Sequence, residues 1–230
     1  MPIVSEHPND PVAVFKLGQE KYMRALVQEG HVYLNSAEYF AKLEEKGGPR
    51  ADADEGASYC KQATGAMLSM EHDGVFKPLG TIQGPIIHLS DEQRHANVYC
   101  LHMRRRHSFD TPFDLLSLEF GDTVVIFKDY VEFLRRLTKE AERQGHSVAY
   151  GTVEYVDRSS YSGPMGPFRK FSTYSQQDEH RIVLTPGTGR PLSLFLGSLQ
   201  DIALVSPANG RFKLFRKALA TTHPQNSPSV

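Results

Sequence analysis

The chain has no tryptophan and only two cysteines, Cys60 and Cys100, among 230 residues. Two thiols cannot build the disulfide framework of a small secreted domain, and they lack the paired spacing of a structural zinc site. Both read as buried thiols. An excess of one charge is also missing, since 26 Lys and Arg stand against 27 Asp and Glu for a formal net charge of −1. No global positive field gathers nucleic acid or anionic membrane, so any such contact has to be local. Nor does any run approach the roughly 18 uncharged apolar residues of a membrane helix, and the first residues, Met-Pro-Ile-Val-Ser-Glu-His-Pro, have no basic head or apolar stretch. The expectation is a cytoplasmic protein without membrane contact.

What is present is ordinary globular material, 40% apolar and 23% charged, which excludes disordered and collagen-like chains. The length sits near the upper end of what one hydrophobic core supports, so a single domain over residues 1–220 is expected. The Pro- and Ser-containing end, 221–230, reads as a disordered polar tail.

Hydrophobic period places the elements. Val12 to Leu17 and His31 to Leu34 read as strands. Between them, Glu20 to Gln28 reads as a helix with Tyr22, Leu26 and Val27 on one face and Gly30 as its stop. Ser36 is placed to cap a helix from Ala37 to Glu45, and Gly47 to Ala57 reads as a surface loop. Strands follow at Gly84 to Leu89, Val98 to His102 and Thr123 to Phe127, with Met103 to Pro112 as an Arg-rich loop. Tyr130, Leu134, Leu137 and Ala141 recur at helical spacing across Asp129 to Gln144, and Gly145 ends that run. Beyond it only strands are expected, at Ala149 to Val156, Arg181 to Thr185, Ser193 to Leu196, Ile202 to Val205 and Arg211 to Phe215. The class is α+β, a mixed, mainly antiparallel sheet with its helices early and a β-rich C-terminal half.

Three segments carry chemistry. In Tyr174-Ser-Gln-Gln177-Asp178-Glu179-His180-Arg181, polar groups lead into an apolar strand, and extended alternation puts Gln177, Glu179 and Arg181 on one side with Asp178 and His180 on the other. An amide and a carboxylate on one face suit binding of a sugar hydroxyl and stabilisation of positive charge developing on the sugar. The plain alternative is a surface pair of Arg181 with Glu179 at a solvated strand end. Asp52, Asp54 and Glu55 crowd carboxylates into a short loop that hard cations favour, but without EF-hand spacing a solvated acidic loop is expected. Arg104, Arg105 and Arg106 form a basic run able to hold phosphates, a local contact with a polyanion. The ten histidines are scattered, and no zinc or other metal site is expected.

Taken in order, Phe15-Lys16, Val32-Tyr-Leu-Asn-Ser36, Phe40, Asp52-x-x-Glu55-Gly56, Val98-Tyr-Cys100-Leu, and Lys170, Tyr174, Gln177-x-Glu179-x-Arg181 resemble a widespread bacterial family of uncharacterised domains, over about Phe15 to Leu184. The same order resembles, more distantly, the ADP-ribosyltransferases. That second resemblance implies NAD as a substrate, a macromolecular acceptor, and a role as a toxin or defence effector. It implies Glu179 and Gln177 as catalytic residues, with Glu179 bonding the ribose hydroxyl and Gln177 orienting the acceptor. Lys16, Ser36, Tyr174 and Arg181 would bind NAD, Ser36 at the nicotinamide end. Lys16 departs from the Arg or His of the transferase pattern. Two other readings stand beside it: a noncatalytic module binding a protein or nucleic acid around Arg104 to Arg106, and a metal-dependent nuclease using Asp52, Asp54, Glu55 and Glu179. A transferase needs Lys16, Ser36 and Glu179 around one dinucleotide, and that geometry separates the readings.

Overall fold

The computed structural model describes residues 11–43, 52–105, 113–114, 119–209 and 211–212. The tail 221–230, Arg106, and residues 47–51 and 107–112 of the loops expected at 47–57 and 103–112 lie outside them. In chain order the elements begin with β1 (Pro11–Gly18), α1 (Glu20–Glu29), β2 (His31–Ser36), α2 (Ala37–Leu43), β3 (Ala57–Lys61), β4 (Met67–His72), β5 (Val75–Thr81), β6 (Ile86–Leu89) and α3 (Asp91–His95). There follow β7 (Asn97–Arg105), β8 (Phe113–Asp114), β9 (Thr123–Phe127), α4 (Tyr130–Arg143), β10 (Ser147–Thr152), β11 (Glu154–Val156), β12 (Gly163–Pro164) and β13 (Arg169–Phe171). A 3₁₀ helix over Ser172–Gln177 then precedes β14 (Glu179–Thr185), β15 (Leu192–Phe195), β16 (Ala203–Pro207) and β17 (Arg211–Phe212).

The class is mixed α+β with mainly antiparallel pairing. Eight strands form the main sheet, ordered β10-β14-β7-β1-β9-β16, with β2 pairing both β7 and β15. Among the described strands only β11 and β13 pair in parallel. One face of the sheet is the core: Val14, Tyr99, Leu101, Val125, Phe127, Ile182 and Leu184 pack with residues of α1 and α4. Helix α1 buries Met23, Leu26 and Val27, an i, i+3, i+4 stripe; Tyr22, expected on that stripe, is exposed. Gly30 ends α1 at φ 68°, and a side chain there would meet the Gly197 carbonyl oxygen at 2.1 Å, so glycine is needed for both conformation and space.

Helix α4 follows its sequence pattern, burying Phe133, Leu134, Leu137 and Ala141. Its cap is Asp129, whose Oδ1 accepts from the Glu132 amide at 2.9 Å. We expect Asp129→Ala to lower stability by about 1 kcal/mol in urea unfolding, the usual loss for such a cap; no change would mean that the first turn of α4 is held by packing alone.

Two expectations are corrected. The Arg-rich segment begins as strand, because the ladder with β1 continues through Ala13↔Arg104 and Pro11↔Arg105. The C-terminal half is not all strand either, since Ser172–Gln177 winds into a 3₁₀ helix that ends at Asp178 with φ 42°. Helix α2 confirms the cap at Ser36, whose Oγ accepts from the Tyr39 amide at 3.3 Å.

A second, smaller layer positions everything discussed below. Strand β3 pairs with β6 and β12, over a small core of Ala57, Cys60, Val156, Met165 and Phe171. From this stem the chain runs out into β4 and β5, which among the described strands pair with each other alone. Among the described residues no helix is long and apolar enough to cross a membrane.

Candidate functional site

The polar segment before β14 does converge on charged partners, but as a buried cluster instead of an open cleft. Glu179 pairs with His102 of β7, and His102 pairs with Phe15 of β1. Paired residues share a face, so Glu179 and Arg181 point away from the helices, and His180 points toward them. Arg181, the largest fully buried side chain among the described residues, holds Glu55 in a two-pronged pair, Nη1 to Oε1 at 2.9 Å and Nη2 to Oε2 at 2.6 Å. Its Nε donates to Glu179 Oε2 at 2.6 Å, and Nη1 also donates to the Pro167 carbonyl at 2.7 Å. Lys170 completes the set from β13. Its Nζ donates to Gln177 Oε1 at 3.0 Å and Glu179 Oε1 at 3.2 Å, lies 3.3 Å from Asp52 Oδ2, and sits 5.0 Å from the centre of the Tyr174 ring.

The acidic segment is therefore not a solvated loop. Asp52 and Glu55 are buried in a tight turn, with Glu55 N donating to the Asp52 carbonyl at 3.0 Å and Ala57 N to that of Asp54 at 3.0 Å. Asp54 turns outward to Arg158. Gly56 closes the turn at φ 87°, where a side chain would come within 2.8 Å of Arg94 Cγ. Sequence reading missed Tyr155, whose hydroxyl accepts from the Glu179 amide at 3.0 Å. It also missed His102, whose Nδ1–H donates to the Gln177 carbonyl at 2.7 Å. Neither carries a local sequence signal, because each reaches the cluster from another strand.

Charge balance explains the titration behaviour. Lys170 and Arg181 face three carboxylates, Asp52, Glu55 and Glu179, so one carboxylate is surplus. Burial and the Glu55 charge push Asp52 up to about 6 against the pull of Lys170 and Arg181. Burial also acts to raise Glu179, but the Arg181 and Lys170 charges override it and leave the group lowered to about 2. Glu179 thus stays ionised and saturated, with each oxygen bonded to a cation.

The alternation expected for this segment holds for Glu179, His180 and Arg181. It fails in mechanism at Gln177, which closes the 3₁₀ helix and reaches the same cluster from there. The residues that the resemblance assigns to NAD divide between the two faces. Lys16 follows Phe15 and so takes the helix-covered side; its Nζ donates to the Cys100 carbonyl at 2.6 Å and lies 4.3 Å from the centre of the Tyr99 ring. Ser36, in register with Asn97 beyond the buried Leu34, has its hydroxyl engaged in capping α2. Glu179, Gln177, Tyr174 and Arg181 gather in one place, while Lys16 and Ser36 do not join them.

Comparisons of the chain with protein-family models, curated proteins and solved structures return no match.

The cavity beside the cluster is about 10 Å³, lined by Asp52, Asp54, Glu55, Arg169, Lys170 and neighbours. That is room for about one water, whereas ligand pockets run to roughly 300–1,000 Å³. Another cavity, about 290 Å³ and open, lies elsewhere, between α1 and β16. Among the described residues no group of three or more His, Cys, Asp or Glu is placed to hold a metal ion. In the basic run, Arg105 is paired with Asp178 at 3.1 Å. Chemically, the cluster is suited to fastening: it ties the turn that enters β3 to the main sheet through Glu55–Arg181 and to β13 through Asp52–Lys170.

Proposed function

We propose that this protein is a noncatalytic interaction module. Its sheet and buried charge cluster hold up a projecting arm, the β4–β5 hairpin, that docks against protein. One observation carries the reading. Every residue from 64 to 81 is exposed, and six of them, Met67, Leu68, Met70, Val75, Phe76 and Leu79, are large apolar residues between 52% and 68% exposed. Exposed apolar surface gathered in one element marks a binding site on a soluble domain, and a lone two-stranded hairpin is marginally stable in water. The cluster supports the same reading from below, since the marks that resemble the bacterial family, Asp52, Glu55, Gly56, Lys170, Glu179 and Arg181, brace the root of the stem. A NAD-consuming reading has less support, because Glu179 offers no unengaged oxygen and Lys16 lies on the other face of the sheet.

Two measurements test this. A photo-cross-linker at Phe76 should give a discrete adduct in cells, identified by mass spectrometry and lost in the Leu68→Asp variant. The same group at Val131, 77% exposed on α4, should give none. Equal labelling at the two positions would remove the docking role. Incubation with NAD should release no nicotinamide above a heat-inactivated control; release by the folded protein would return Glu179 to a catalytic role.

A further inference from the structure

We infer that the occupant of the arm is the arm of a second copy of this chain, joined edge to edge along β4. The inference rests on the docking reading and names its partner. The two edges of the hairpin differ. Strand β5 contains Pro78 and Gly80, and its register with β4 shifts between Leu68 and Ser69, so that Leu79 is an extra residue opposite them. Proline lacks an amide donor, and a bulge twists the strand, so this edge is blunted against pairing. Strand β4, Met-Leu-Ser-Met-Glu-His, has no proline, glycine, lysine or bulge. Among the described residues its outer row of backbone groups has no strand beside it, because β4 pairs with β5 and with no other described strand.

Symmetry restricts how two such edges meet. A twofold axis relating adjacent antiparallel strands passes through a residue paired with its own copy, because paired side chains share a face. Centring on Ser69 sets Leu68 opposite Met70 of the second copy, and Met70 opposite Leu68. It also sets Glu71 opposite Met67, avoiding the like-charge contact that centring on Glu71 would create. His72 pairs with Val75 and Met70 with Lys77 in the hairpin, so Leu68, Met70 and Val75 share a face. The joined arms therefore form a four-stranded sheet with these three residues of both copies side by side. Three or more strands with an apolar face are what an independent sheet needs.

Sedimentation equilibrium of the full chain, with a cysteine pair as a positional reporter, tests the inference. The wild type should shift with concentration from the 25.8 kDa monomer toward twice that mass. Met70→Lys, at an exposed position, should weaken association at least tenfold and leave the thermal midpoint of the body unchanged. Under mild oxidation Ser69→Cys should form a disulfide-linked dimer, since strand pairing sets facing Cα atoms within disulfide range, and Phe76→Cys should not. A monomer at every concentration overturns the inference. So does a dimer that ignores Met70→Lys and cross-links no better at 69 than at 76. If the protein is monomeric but a linker at Phe76 is trapped on a different, identified protein, the second-copy inference falls and the docking reading stands; if the arm captures nothing, both fall.

Discussion

Replacing Arg181 by Leu is expected to lower the stability of the protein by about 3–5 kcal/mol, the usual result of removing one member of a buried ion pair. The size follows from what stays behind. Without the guanidinium, Glu55 loses both of its bonds and Glu179 loses one, leaving buried carboxylates with Lys170 as their only cation in the cluster. The loss is mostly the desolvation of unpaired charge, so Arg181→Leu combined with Glu55→Leu should be less damaging than the sum of the two single changes. Urea unfolding followed by circular dichroism measures both. A single Arg181→Leu that costs under 1 kcal/mol would mean that the cluster is hydrated in solution and does not brace the stem.

Below pH 6.5 the wild type should lose stability that a His180→Phe variant keeps. His180 faces the helix-covered side, buried, with no hydrogen-bond partner for either ring nitrogen among the described residues and with Tyr130 packed edge-on at 5.3 Å. Burial lowers its pKa from 6.5 to about 4. Above pH 6.5 the ring is neutral in both folded and unfolded chains and contributes nothing to the pH dependence. As pH falls from 6.5 to about 4, the unfolded chain binds a proton that the folded chain refuses, so stability declines by about 3 kcal/mol over that window. Phenylalanine keeps the contact with Tyr130 and removes the titration. Asp52, raised by burial to about 6, acts with the opposite sign in both proteins and cancels from the comparison. Denaturant midpoints at pH 7, 6, 5 and 4 should diverge between the two proteins; parallel curves would show that the imidazole is solvated in the folded state.

Local pattern alone determined a good part of this protein. Thr123–Phe127 is a strand and the helix before Gly145 runs from Tyr130 to Arg143, because a β-branched run and a 3.6-residue stripe each specify their own backbone and buried face. The alternation of Glu179, His180 and Arg181 was legible for the same reason, as was the cap at Ser36. Other features had no local signal. Glu55 and Arg181 stand 126 residues apart, and nothing near either predicts that the acidic turn is buried against the sheet instead of lying in water. The 3₁₀ helix before β14 also hides in sequence, since Ser172–Gln177 has too few apolar residues to show a period. Sidedness was the decisive case. Lys16 and Glu179 fall on opposite faces of one sheet because of the register Phe15↔His102↔Glu179, a relation among three strands that no single segment encodes. The arm came from the fold as well: β4 and β5 mix apolar and polar residues without clean alternation, and only the tertiary structure decides that no other described element covers them.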